Sequence, residues 1–295
     1  MRNCFVVVSN KSWYEGYIPF YIFFARRACP DTHVLVYLMG ELEPETQQAI
    51  KAISGNPSGY TLIENYKPEY GQSAIAAKTA RFTIDDDRIR SFDAAYIGDI
   101  DMLICKEDED LFVQHWRNAS SIGIPISNMI RFEKATRRLT GLHFLVTAPY
   151  FEAMAEAIQR LDHKIASLVA SGSISETWTT SVEDEEELYK MIATARPDWI
   201  AAMEPARFRP HHGTHMGHFR NPKAGSFKTI TERIATSGPN RYHRDTRTAL
   251  PPILALPEIT ALFTCFPKLG KTFDNFMQVM ESAEARATPL EATQG

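Results

Sequence analysis

Short apolar runs alternate with amphipathic stretches through the first hundred residues. Phe5-Val6-Val7-Val8 is a β-branched run ending at Ser9-Asn10, the pattern of a strand buried on both faces. Gly16 to Ala28 predicts a helix whose last turn carries Arg26 and Arg27, where cations suit the helix dipole, with Pro30 as its stop. His33 to Leu38 predicts a second buried strand, Pro44 to Ile53 a helix and Tyr60 to Ile63 a third strand. Ser73 to Thr83 reads as helical, and Phe92 to Ile97 as a strand ending in polar residues. This alternation predicts an α/β fold with a mainly parallel sheet. Beyond residue 106 the pattern loosens. It predicts helices over Glu107–Asn118, Tyr150–Ala170 and Glu183–Ala193 and a strand over Gly141–Val146. From about Glu281 large apolar residues almost vanish, which predicts a frayed or disordered tail. No internal repeat and no Gly/Ser/Pro linker divides the chain, so one domain with a C-terminal extension is expected.

Composition narrows the function classes. The 295 residues are 44% hydrophobic and 23% charged, ordinary values for a globular protein. Thirty-two basic against 36 acidic residues give a net charge of −4 and a pI near 6.2. That excludes a generally cationic nucleic-acid binder but leaves room for a local phosphate site. Cys4, Cys29, Cys105 and Cys265 form no C-x-x-C pair, which points to reduced thiols. The first apolar run is too short for a signal peptide, and Tyr17 to Ala25 is too short to span a bilayer. The expectation is a cytoplasmic protein without a transmembrane segment, with peripheral membrane association left open.

Several clusters could carry chemistry. In Gly98-Asp99-Ile100-Asp101, two aspartates follow an apolar strand. Ligands of open α/β sheets bind outside the carboxyl ends of the strands, and paired carboxylates suit Mg²⁺ or Mn²⁺ holding phosphate oxygens. Gly98 would allow close backbone approach; a mere acidic turn is the alternative. His211 to Arg220 holds four of the nine histidines, between Arg207, Arg209, Lys223 and Lys228, and no acid occurs between Glu204 and Glu232. Positive charge concentrated in an acidic protein suits a diphosphate, and His212 or His215 could ligate a metal. Glu183 to Glu187 opens a helix, where acids stabilise the N-terminus and could also serve as a base. Lys78 and Arg81 share a helix face and could meet one anion, while Trp13, Tyr14 and Tyr17 could stack on a base or simply pack.

These segments occur in an order that resembles nucleotide-sugar-dependent glycosyltransferases of the GT-A fold, over roughly residues 3 to 225. Glu15 to Leu38 resembles their opening, Ser73 to Phe82 the helix before the D-x-D strand, and Tyr96 to Asp101 the D-x-D itself. Thr140 to Leu145 resembles the next strand, Asp184 to Tyr189 the acidic D-Q-x-x-L-N element, and His215 to Arg220 the C-terminal loop over the diphosphate. Within that fold the segments resemble the glycogenin and lipooligosaccharide galactosyltransferase-like group. Thr140 stands where Asn is usual, Glu185 where Gln is usual, and the histidine spacing is shifted, so retention or inversion stays open.

The resemblance implies a GT-A domain over 1–225, an extension over 226–280 packed on it and a tail over 281–295. It implies a nucleoside-diphosphate sugar donor, a UDP-sugar, and a hydroxyl acceptor on a glycan, glycolipid or protein. Asp99 and Asp101, with His212 or His215, would hold Mn²⁺ or Mg²⁺. Ser9, Asn10, Tyr14 and Tyr17 would hold the base and ribose; Lys78, Arg81, Gly98, Ile100, Arg220 and Lys223 would face the diphosphate. Gly141 and His143 would meet acceptor or sugar. Asp184, beside Glu185, would deprotonate the acceptor or steady the sugar. A nucleotidyltransferase and a non-catalytic carbohydrate-binding protein are the alternatives.

Overall fold

The structure, a computed structural model, describes residues 1–11, 14–54, 57–131, 137–178, 183–205 and 212–287. The first half alternates β1 (Asn3–Asn10), α1 (Ile18–Ala28), β2 (His33–Met39), α2 (Pro44–Ser54), β3 (Tyr60–Ile63), α3 (Ala74–Ala80), α4 (Asp87–Arg90) and β4 (Ala94–Gly98). Then follow β5 (Met102–Leu103), α5 (Leu111–Ile122), β6 (Ile126–Ser127), β7 (Ile130–Arg131), β8 (Arg138–Leu139) and β9 (His143–Val146). Next come α6 (Thr147–Ala170), α7 (Ile174–Thr177), α8 (Glu183–Ala195), α9 (Pro197–Met203) and β10 (Thr214–His215). The chain closes with α10 (Gly225–Ser237), α11 (Arg241–Leu254), α12 (Pro257–Cys265) and α13 (Pro267–Ala287).

The central sheet has the order β3-β2-β1-β4-β9-β6. β1 to β4 are parallel, and β9 alone runs against both neighbours. The strands are continuously apolar because both faces are covered. Phe5, Val7, Val36 and Tyr96 pack under α1, α2, α5 and α10–α13; Val6, Leu35, Tyr37 and Ile97 pack under α3, α6, α8 and α9. The segment after residue 226 thus buries Ile230, Leu250, Phe273 and Phe276 in the same core as α1. Successive strands leave β1 toward β2 on one side and β4 on the other, so a crevice opens at the carboxyl ends of β1 and β4.

Several boundaries differ from the sequence reading. α5 starts at Leu111, not at Glu107, because the Asp110 carboxylate caps the amides of Phe112 and Val113 (2.8 and 3.2 Å). α6 begins directly after β9; Pro149 is tolerated in its first turn, where its missing N–H would have no helical partner. The expected frayed tail is corrected over 281–287: α13 continues to Ala287 and buries Met280 and Ala283 on an apolar face. Residues 288–295 lie outside the described residues. No single helix among the described residues is long and apolar enough to cross a membrane.

Candidate functional site

A cleft of about 730 Å³ opens where β1 and β4 end. Asp99 follows β4, and its carbonyl accepts the amide of Met102 (3.0 Å), a turn that presents Asp99 and Asp101. β10 pairs antiparallel with β5, setting His215 opposite Met102, and the amide of Met216 donates to the carbonyl of Asp101 (2.9 Å). The histidine loop is therefore fastened to the backbone of the D-x-D turn. Two glycines make this possible. Gly213 has φ +78°, and a Cβ there would overlap the Leu103 carbonyl. A Cβ on Gly217 would stand 2.5 Å from His215 Cε1 and 2.7 Å from Asp101 Oδ2.

The charges interlock. Arg81, immediately after α3, forks between two carboxylates: Nη1 pairs with Asp99 Oδ1, and Nη2 donates to Asp184 Oδ2 at 2.7 Å. The arginine is 4% exposed at its side chain, so it is an internal strut rather than an open anion receptor. Arg220 pairs through Nη2 with Asp101 Oδ2, donates through Nη1 to the Tyr14 hydroxyl (2.8 Å) and lies over the Tyr14 ring at 4.7 Å. The remaining carboxylate oxygens face His215: Nε2 lies 3.6 Å from Asp101 Oδ1 and 4.0 Å from Asp99 Oδ2.

Burial would raise the Asp99 carboxyl, but Arg81, then His215 and Lys78, outweigh it and hold it down to about 2. Asp101 is likewise held low: burial opposes, and His215 and Arg220 prevail. Asp184 goes the other way. Its burial raises the carboxyl above the ordinary range despite Arg81 and Lys78.

Donors ~2.1 Å from an octahedral ion stand ~3 Å apart. The Asp99–Asp101–His215 trio is somewhat wider, and no ready-made cage of three such groups exists among the described residues. The donor types nevertheless fit Mn²⁺ or Mg²⁺, because one oxygen of each aspartate is tethered by an arginine while the other points to the histidine. His215 Nδ1 has no hydrogen-bond partner among the described residues.

The structure brings Asn10, Tyr14, Lys78, Arg81, Asp99, Ile100, Asp101, Asp184, Glu185, His215 and Arg220 to one cleft. The Asn10 side chain is 1% exposed, yet neither its amide nitrogen nor its oxygen has a partner among the described residues. A buried amide left so costs stability unless a ligand satisfies it.

Other expected site residues lie elsewhere. His212 is fully buried and pairs through Nδ1 with Glu107, so His215 is the histidine at the aspartates. His143 is inside the sheet, opposite Ile97, with Nδ1 2.9 Å from the Asn128 amide nitrogen. Ser9 is buried and donates to the Asn10 carbonyl (3.4 Å). Lys223 is exposed away from the cleft lining. A Cβ on Gly98 would make only ordinary contacts, with the side chains of Leu142, Tyr21 and Tyr96, so neither packing nor a ligand in the cleft requires a glycine there. Tyr17 is buried one step behind Tyr14, its ring centroid 6.2 Å away. Trp13, Arg207, Arg209 and His211 lie outside the described residues.

Glu185 accepts the amide of Gly141 (2.9 Å) on Oε1 and pairs with Arg138 through Oε2, so both oxygens are engaged. It braces the Gly141 turn, where a Cβ would stand 2.5 Å from Arg81 Nη2. Sequence reasoning missed Arg138, Asn128 and Glu107. Asn128 accepts the Thr140 amide and hydroxyl (3.0 and 2.7 Å) and thereby fixes that turn. Glu107 joins His212, Arg241 and Gln114. Their defining partners, His212, Glu185 and Thr140, lie outside any local motif, so no sequence pattern marks them.

Fold and site together define a mixed α/β protein with a ligand cleft of paired carboxylates, a histidine and tethered arginines at the strand ends. The chain is structurally similar to glycosyltransferases of known structure. The galactosyltransferase LgtC, solved with donor and acceptor sugar analogs, aligns over 54% of this chain and 65% of its own at 15% identity and TM-score 0.32. The glycosyltransferase GlyE of Streptococcus pneumoniae TIGR4 aligns over 91% of this chain and 64% of its own, at 10% identity and TM-score 0.42. The mannosyltransferase Ktr4p of S. cerevisiae aligns over 55% and 60%, at 10% identity and TM-score 0.39. This chain thus spans just under two thirds of LgtC. At such values the likeness bears on no individual residue. No protein-family model and no curated protein sequence matches the chain.

Proposed function

We propose that the protein is a metal-dependent glycosyltransferase that moves a sugar from a nucleoside-diphosphate sugar, a UDP-sugar, to a hydroxyl of a glycan, lipid-linked or protein acceptor. The observation that carries this reading is the convergence of Asp99 Oδ2 and Asp101 Oδ1 on His215 Nε2, beside Arg220 and Lys78. A diphosphate needs this mixture, since its charge exceeds what one cation neutralises and its oxygens can share a divalent ion. Asp99, Asp101 and His215 would hold Mn²⁺ or Mg²⁺, which when bound supplies Lewis-acid stabilisation of the departing diphosphate.

The chain's own groups do the rest. The unpartnered Asn10 amide offers a donor and an acceptor to the nucleoside, and Tyr14 a ring for its base. Lys78 and Arg220 offset charge on the leaving diphosphate. The bond from the anomeric carbon to the diphosphate oxygen breaks, and its electron pair leaves with the nucleotide. The acceptor oxygen bonds that carbon and loses its proton. Asp184, whose carboxyl is raised by burial, is the assigned proton acceptor. Glu185 and Arg81 are positioning residues. With a panel of UDP-sugars, donor hydrolysis should release UDP only when Mn²⁺ or Mg²⁺ is added. Asp99→Asn and Asp101→Asn should each abolish it. Metal-independent release, or full activity in both variants, overturns the reading; release of UMP points to nucleotidyl transfer.

A further inference from the structure

Two arginines hold the aspartate oxygens that turn away from His215, and only Arg220 faces the open cleft. Its side chain is 36% exposed, against 4% for Arg81. Contacts other than Asp101 keep its guanidinium in place. Nη1 donates to the Tyr14 hydroxyl (2.8 Å), and the group lies over the Tyr14 ring at 4.7 Å and the Tyr17 ring at 6.0 Å. The backbone just before it is fastened to α13, where the Asn275 side-chain amide donates to the Phe219 carbonyl (2.8 Å). Gly217 closes the other side: a Cβ there would stand 2.8 Å from Arg220 Nη2. The positive charge beside Asp101 is therefore built in, and an arriving ion does not simply push it away.

The charges of the cleft cancel before any ligand enters. Asp99, Asp101, Asp184 and Glu185 face Lys78, Arg81 and Arg220, and Arg138 pairs with Glu185. A divalent ion at Asp99 and Asp101 adds two positive charges to this balance, next to a guanidinium that shares Asp101 with it. Like charges on one buried carboxylate repel strongly because little water screens them. A diphosphate brings the negative charge that offsets both. Arg81 has no such effect to exert, since Asp99 and Asp184 together already match it. Removing Arg220 would also release the Asp101 carboxylate, but that group is 3% exposed and confined by its walls, so repulsion is the larger effect.

We propose that Arg220 is a charge guard: it disfavours the divalent ion at Asp99 and Asp101 until a nucleoside diphosphate arrives, and so makes ion and nucleotide bind as a pair. This rests on the glycosyl-transfer reading and deepens it, because it assigns the order of binding at the same site. By linkage, what Arg220 removes from ion binding in the empty cleft returns as cooperativity with the nucleotide.

The test titrates the full chain with Mn²⁺ and counts the free ion by its electron paramagnetic resonance signal, a reading of binding that needs no turnover. The wild type should bind Mn²⁺ at least tenfold more tightly with saturating UDP than alone. Arg220→Met should bind Mn²⁺ alone about fivefold or more tighter than the wild type, and its gain from UDP should shrink by the same factor. Arg220→Lys, which keeps the charge without the fork, should stay near the wild type in Mn²⁺ alone. An Arg220 that only orients Asp101 would give the opposite sign, weaker Mn²⁺ binding in Arg220→Met. That result, equal binding, or Arg220→Lys behaving like Arg220→Met overturns the proposal. If Arg220→Met does not unfold cooperatively, Arg220→Gln, uncharged but with an amide to donate to Asp101, is judged by the same expectation. No Mn²⁺ uptake by the wild type even with UDP counts against the donor reading, whereas the comparison in Mn²⁺ alone judges the guard.

Discussion

Arg81→Met isolates the strut that organises the site. Arg81 is the shared partner of Asp99 and Asp184, so its removal leaves two carboxylates in a low-dielectric cleft without their main counter-charge. Breaking a buried pair from one side costs about 3–5 kcal/mol. The lowered Asp99 carboxyl, to which His215 and Lys78 also contribute, gives a second figure. The Asp99 carboxyl is lowered from 3.8 to about 2, and at 1.36 kcal/mol per unit that is about 2 kcal/mol of stability. Because the folded value lies below the unfolded one, this contribution is fully present above pH 3.8 and is lost as pH falls toward 2. Asp184 has the opposite sign: its raised carboxyl costs stability at neutral pH and releases that cost on acidification. In Arg81→Met burial raises both groups, so protonation should relieve the variant. Urea unfolding followed by intrinsic fluorescence should show a deficit of about 3–5 kcal/mol at pH 7 that narrows steadily toward pH 3. Arg81→Met/Asp99→Asn should recover part of the deficit. A deficit below about 1 kcal/mol at pH 7, the range of an exposed ion pair, or one independent of pH, refutes the strut.

Other substitutions test the neighbouring elements. Gly213→Ala should destabilise the fold by more than the ~1 kcal/mol of an ordinary glycine replacement, since the new methyl overlaps the Leu103 carbonyl; a neutral melting temperature would contradict the loop geometry. His212→Ala should lower stability by about 1–3 kcal/mol because it empties a buried site and removes one partner of the Glu107 carboxylate while leaving Mn²⁺ affinity, measured by calorimetry with UDP present, nearly intact. His215→Ala should do the reverse, lowering Mn²⁺ affinity at least tenfold with little change in stability. Interchanged results would make His212 the ligand. Glu185→Gln should loosen the Gly141 turn and lower kcat more than it raises KM for the donor; an unchanged kcat would remove its positioning role.

The strands were legible because burial on both faces demands uninterrupted apolar runs: Phe5 to Val8 and His33 to Leu38 could be nothing else over that length. The antiparallel direction of β9 was not legible, since a four-residue buried strand reads the same both ways. Asp99 and Asp101 were visible from their place after a strand, and Asp184 became a favoured site residue through its resemblance to a family element. His212 and His215 were indistinguishable by spacing. Their separation depends on Glu107, 105 positions away from His212, and on the two-residue ladder of β10 with β5. His143 and Gly98 stand in two segments that looked like lining, but His143 sits inside the sheet opposite Ile97 and Gly98 faces the core side chains of Leu142, Tyr21 and Tyr96. The setting of Arg220 draws on Tyr14, Asp101 and Asn275, and no pattern within any one of their segments announces it.

The proposed coupling runs from a nucleoside diphosphate through a divalent ion to Asp99, Asp101 and His215. Its most direct measurement is the unfolding free energy of wild type, Asp99→Asn and Asp101→Asn with UDP, with Mn²⁺ and with both. Ligand at 100 times its Kd adds about 2.7 kcal/mol to the native state. The wild type should gain a shift of that order only when UDP and Mn²⁺ are present together, and neither variant should gain it. Stabilisation by UDP that ignores Mn²⁺, or that persists in both variants, would contradict the claim.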